Sequence, residues 1–184
     1  MSPFLFALLC LGLCPLWADI MVRDDFLYYE TDWPDPRDAA AHRCERTGAT
    51  LVGNMKAFLT SGSLNVLPCY VSYSCCISTY ELDGRVYLNQ TREEVDNRLW
   101  KQGHPITGKD YGVVAGGRRR GEWALSTVMN SEFHTPLCVN DLTSRHSVQK
   151  LDKNVYSIGY KDFADKIKVI LDRLRREKPE LFDP

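Results

Sequence analysis

The chain has 184 residues, 44% of them hydrophobic and 26% charged, which suits one globular unit with a sizeable core. Its formal net charge of −1 gives no global signal for nucleic acid or for strongly acidic or basic partners. The cysteines and a short apolar leader say more.

Residues 4–13 form an apolar run too short to span a bilayer, and Leu16-Trp17-Ala18 is a workable cleavage site. Residues 1–18 therefore read as a secretory signal peptide, although no Lys or Arg precedes the apolar run; a signal anchor is the competing reading. No later segment is long and apolar enough to be a transmembrane segment. Cleavage would remove Cys10 and Cys14 and leave Cys44, Cys69, Cys75, Cys76 and Cys138. In an oxidising compartment most of these pair, and the odd number leaves one free, capped or intermolecular.

In chain order, residues 24–30 (D-D-F-L-Y-Y-E) read as an aromatic-rich strand. A helix follows, with Asp35 as N-cap and Pro36 at the first helical position. Ala40, Ala41 and Cys44 share its inner side, while Arg37, Arg43, Glu45 and Arg46 lie mostly outside. Gly48 can stop the helix, and residues 49–52 turn strand-like. The inward Cys44 needs a partner, and Cys138, in the strand-like T-P-L-C-V-N, is the best candidate. Residues 54–60 suggest a second short helix ending near Gly62.

Residues 69–80 read as strand, and Asp83-Gly84 as a turn from which residues 85–88 return antiparallel. Asn89-Gln90-Thr91 is the sole glycosylation sequon. Residues 91–105 form a long polar loop anchored by Trp100. Strands at 111–115 and 122–128 are joined across a glycine-flanked Arg118-Arg119-Arg120, and residues 136–140 supply the last strand. Residues 141–154 look polar and turn-like. A helix over 160–177 carries Phe163, Ile167, Ile170, Leu171 and Leu174 on one stripe, gathers cations at its C-terminal end and stops at Pro179.

This order resembles that of a C-type lectin-like domain. The resemblance covers roughly residues 26–140 and is carried by several small matches. Phe26-Leu27-Tyr28-Tyr29, Trp33, Ala39-Ala40, Cys44, Gly48-Ala49 and Leu51-Val52 are similar to the family's first strand, first helix and next strand. Asp83-Gly84 sits at a W-x-D-G turn that lacks its tryptophan. Trp100-Lys101-Gln102-Gly103-His104-Pro105 resembles the long loop's W-x-x-G-x-P. Gly121-Glu122-Trp123 and Leu137-Cys138-Val139 resemble the strands that follow. The implied fold is α+β: two short helices, antiparallel strands and a long loop over residues 24–140. Residues 141–184 then form a C-terminal extension.

The departures matter too. Sugar-binding members hold calcium with acids or amides either side of a loop proline, where this chain has His104-Pro105-Ile106. Their later W-N-D reads Trp123-Ala124-Leu125 here. Calcium takes about 6–8 oxygen ligands, and Ile106, Ala124 and Leu125 offer no side-chain oxygen. The family's usual second disulfide, tying the strand after the long loop, is absent because residues 111–115 and 122–135 hold no cysteine.

No catalytic, metal or cofactor residues are assigned. His42, His104, His134 and His146 show no ligand spacing, and no nucleophile elbow, P-loop or Rossmann fingerprint occurs. Cys44 lacks a neighbouring base, since His42, two residues away on a helix, faces elsewhere. Cys75 and Cys76 point to opposite faces of one strand; Cys69 pairs with one of them, or the leftover thiol links two chains. Arg118, Arg119 and Arg120 are either a solvated hairpin tip or an anion site. The C-terminal stripe either docks on the domain or supports a helix-mediated oligomer. The expected function is a secreted recognition module, not an enzyme. It would bind protein or another ligand without calcium through loop residues Trp100, His104 and Pro105. The alternative is a lectin that binds anionic glycans through the arginine tip.

Overall fold

The computed structural model describes residues 20–54, 59–60, 63–64, 74–116 and 124–183. Expectations for the leader, Cys69, the arginine triplet and Trp123 fall outside the described residues.

Ile20–Arg23 (β1) and Phe26–Glu30 (β2) form an antiparallel hairpin. Asp24 and Asp25 turn it, with φ of 51° and 62°, a region that Asp tolerates better than most residues. The first strand is thus shorter than expected, and another precedes it. Arg37–Glu45 (α1) buries Ala40 and Cys44 as expected, but Asp35 does not cap it. Its carboxylate instead pairs with Arg43, a competing partner two turns along the helix. Gly48 has φ 73°, and a Cβ there would sit 2.9 Å from Lys150 Cβ, so this glycine both ends α1 and lets a later helix approach.

Thr50–Leu51 (β3) pairs with Thr135–Asp141 (β11), which also lies antiparallel to β2. The second helix expected over 54–60 is overturned at its end, where Leu59–Thr60 (β4) pairs with Ser63–Leu64 (β5). So short a helix would have to recover its nucleation cost from packing, and pairing of 59–60 with 63–64 takes its last residues into a ladder instead. Ser74–Ile77 (β6) runs parallel to β11 and antiparallel to Tyr111–Gly116 (β9), which pairs with Ala124–Met129 (β10). The main sheet has the order β1-β2-β11-β6-β9-β10, with β3 branching from β11. Thr79–Leu82 (β7) and Arg85–Leu88 (β8) form the expected hairpin. Asp83 and Gly84 have φ of 51° and 74°, the pair of positive values that a two-residue hairpin turn requires.

Two clusters of buried residues lie on opposite faces of this sheet, and consecutive residues alternate between them. Tyr29, Cys76, Val114 and Cys138 belong to one; Tyr28, Cys75, Val113 and Leu137 belong to the other. The first cluster is completed from beyond β11. Arg145–Asn154 (α2), read from sequence as polar turn, is a helix whose N-cap Ser144 accepts from Ser147 N. Only Val148 and Leu151 mark its inner side with large apolar groups, which is why its periodicity is faint. Lys161–Glu177 (α3) buries Phe163, Ala164, Ile167, Leu171 and Leu174. Its stripe packs within the chain's own core, the docked arrangement of the two that the sequence allowed.

The two parts of the chain are also joined by buried polar groups. Tyr29 Oη donates to Asn140 Oδ1 at 2.9 Å, and Asn140 Nδ2 donates to Thr47 O at 2.9 Å and to Ser147 Oγ at 3.0 Å. Ser147 Oγ donates in turn to Gly48 O at 3.0 Å. Asn140 is fully buried, so each of these bonds offsets the cost of taking a polar group out of water.

Candidate functional site

Cys44 and Cys138 form a disulfide, 94 residues apart in sequence with Cα atoms 5.4 Å apart. It ties α1 to β11. Cys75 is also disulfide-bonded, to a partner outside the described residues. Among the described residues Cys76 is the free cysteine, only 4% exposed within the first core cluster. Burial pushes its thiol up to about 12, so it offers neither an accessible sulfur nor a thiolate for an interchain link.

The long loop begins after a 3-10 turn, Asn97–Leu99, capped by Asp96. Trp100 bridges to Leu125 and packs against the second core cluster, so it anchors the loop. His104, joined to Pro105 by a cis peptide, is half-buried and fixed on β10. Thr127 N donates to His104 Nδ1 at 3.0 Å, and Thr127 Oγ1 lies 2.8 Å from the same nitrogen. Thr127 Oγ1 also accepts from Ile106 N at 2.8 Å. One threonine thus fixes the loop on both sides of Pro105 and occupies the Nδ1 lone pair.

Nearby acids have other partners. Asp96 binds Arg98 through both carboxylate oxygens, and the Arg98 guanidinium holds that carboxyl down to about 2. Glu94 pairs with Arg85 at 3.3 Å. Among the described residues no group of three or more His, Cys, Asp or Glu is placed to hold a metal ion. Asn89 is exposed after β8, with its backbone N–H on Ser78 O.

Between the β7–β8 hairpin and the long loop lies a cleft of about 430 Å³, which sequence reasoning missed. Arg37, expected outside, reaches into its base. Its guanidinium donates to Thr79 O at 2.5 Å, Tyr111 O at 3.2 Å and Asn130 Oδ1 at 3.4 Å. The signal was Gly112, where a Cβ would sit 2.9 Å from Arg37 Cδ. A glycine inside a strand pattern marks a close approach of this kind. Tyr80, Glu81, Lys109 and Tyr111 complete the cleft's polar rim. Glu81 Oε2 accepts from Gly108 N at 2.5 Å and so fastens the loop to the hairpin.

Element by element, the β2–α1–β3 opening, the bridge to β11, the Asp83-Gly84 hairpin and the Trp100-anchored loop form the arrangement that the resemblance implied. The fold is α+β and C-type lectin-like, with a C-terminal helical part. No family model matches the chain, and no curated protein matches it. The chain is similar to the solved C-type lectin domain of murine dendritic cell inhibitory receptor 2, a complex with N-glycan. That match has 15% identity and a TM-score of 0.49, and covers 70% of this chain and 98% of that one. A Ca2+-dependent type II antifreeze protein in its Ca2+-free form matches at 14% identity and TM-score 0.49, over 69% and 99% of the two chains. The mouse scavenger receptor C-type lectin carbohydrate-recognition domain matches at 20% identity and TM-score 0.44, over 70% and 96%. Among the described residues no helix is long and apolar enough to cross a membrane.

Proposed function

We propose that this chain is a secreted recognition module that binds its ligand without calcium. The observation that supports this reading most is the tie between His104 and Thr127. It puts an occupied imidazole nitrogen where the resemblance would place a calcium-ligating side chain. Ile106 beside it has no side-chain oxygen, and hard cations need oxygen donors with charge. Residues 1–18 act as the export signal, residues 24–140 as the binding domain, and residues 141–184 as an extension that completes the core. Trp100 positions the loop, and His104 and Pro105 stand at its ligand-facing bend. The rival reading, binding of anionic glycans, rests on the charge density of Arg118, Arg119 and Arg120.

A thermal melt in millimolar calcium against chelator tests the proposal. A resident ion stabilises the folded state according to its concentration over its dissociation constant, so a real site must move the transition. The expected result is coincident curves. A calcium-dependent rise of several degrees, removed by Asp110→Asn or Glu93→Gln, would sink the reading.

A further inference from the structure

The unclaimed chemistry lies in the cleft between the β7–β8 hairpin and the long loop. Arg37 is half-buried there, and its hydrogen-bond acceptors are two backbone carbonyls and one side-chain amide, all neutral. Among the described residues no carboxylate oxygen comes within 4.0 Å of it, whereas Arg43 on the same helix has its own carboxylate in Asp35. A guanidinium withdrawn from water keeps its charge, so it sets up a site for an anion. Carbonyls orient the group without neutralising it, and N–H positions remain beyond the three bonds described.

The rest of the rim narrows the anion's chemistry. Lys109 adds a second cation, exposed at the mouth, and Glu81 is the one carboxylate, its Oε2 engaged by Gly108 N. The phenol rings of Tyr80 and Tyr111, with Glu81, bring polar groups suited to hydroxyls, while Val86 and Ile106 supply apolar wall. Tyr80 is held in place by Tyr87, stacked with ring centroids 5.3 Å apart, and by Arg92. At about 430 Å³ the space exceeds what a bare carboxylate fills and falls within the usual range for small-molecule pockets.

We infer that this cleft binds a small hydroxylated carboxylate, with its carboxylate on Arg37 and Lys109 and its hydroxyls on Tyr80, Tyr111 and Glu81. The inference rests on the reading of the chain as a binding module and names the ligand class for one face of it. The Arg118–Arg120 segment takes no part.

The test is titration of the ¹⁵N-labelled full chain with glucuronate, alongside glucose and acetate. Glucuronate is expected to shift the amides of Gly108, Lys109 and Gly112 and the Arg37 Nε–H saturably. Glucose should have no effect, and acetate should bind more weakly. Lys109→Gln should weaken glucuronate binding about two- to five-fold and Glu81→Gln should tighten it by a similar factor, the range expected for one exposed charge. Lys109 is exposed, and Glu81→Gln keeps a side-chain oxygen for Gly108 N and for a hydroxyl, so the opposite signs stand apart from any loss of fold caused by Arg37→Lys. Four results would overturn the inference: no saturable shift, an equal response to glucose, equal affinity for acetate, or no effect of either Lys109→Gln or Glu81→Gln. The calcium melt fails or succeeds independently. Calcium stabilisation with glucuronate binding intact would remove the calcium-free reading and leave this site standing.

Discussion

Cys76 and Arg37 show how much one residue's surroundings change its chemistry. The odd cysteine count raised an interchain disulfide, yet the spare sulfur lies inside, on the opposite face of β6 from Cys75. Iodoacetamide at pH 8 should leave Cys76 unmodified in folded protein and label it in urea; labelling of folded protein would contradict its burial. The sign of its pH dependence also follows. A thiol raised from 9.0 to about 12 on folding contributes stability that is present below pH 9 and lost as pH rises through 12. The Tyr29 phenol, also held protonated by burial, adds to the same decline. The urea midpoint should therefore fall above pH 9, and less steeply in Cys76→Ala. Arg37 was misread because helical periodicity places the Cα and not the end of a long side chain. Its acceptors lie 42, 74 and 93 residues away, beyond any local pattern.

Among the elements, those with strong local chemistry were visible in the sequence. The α3 stripe, the Asp83-Gly84 turn, the Gly48 stop and the two-faced β6 needed only periodicity or a backbone preference. The elements that were misread depend on tertiary contacts. α2 presents two large apolar residues and is held by Ser147, whose hydroxyl bonds Gly48 O. The Thr127 tie on His104 likewise needs strand and loop to be brought together first. If α3 is a core element, Leu171→Ala should cost about 2–5 kcal/mol in urea denaturation, since Leu171 is 1% exposed. Val169, on the same helix but 61% exposed, should change stability by no more than about 0.5 kcal/mol when made Ala. Equal effects at the two positions would mean that α3 does not dock as described.

For the whole molecule, an exported chain should carry glycan on Asn89, which is exposed after β8. Glycosidase treatment of material from a glycosylating cell should then increase its electrophoretic mobility, and an unchanged band would refute occupancy. The central place of β11 has a further consequence, in time rather than in energy. Tyr29 and Asn140, which meet in the core, are 111 residues apart, and a ribosome adding about 5–20 residues per second separates them by on the order of ten seconds. Until β11 emerges, β2 has an unpaired edge, and Cys44 meets Cys69, Cys75 and Cys76 before Cys138 exists. The native bridge must form after its competitors have had their chance. The yield of native protein on oxidative folding should therefore depend on thiol exchange more than the stability of the finished fold would suggest.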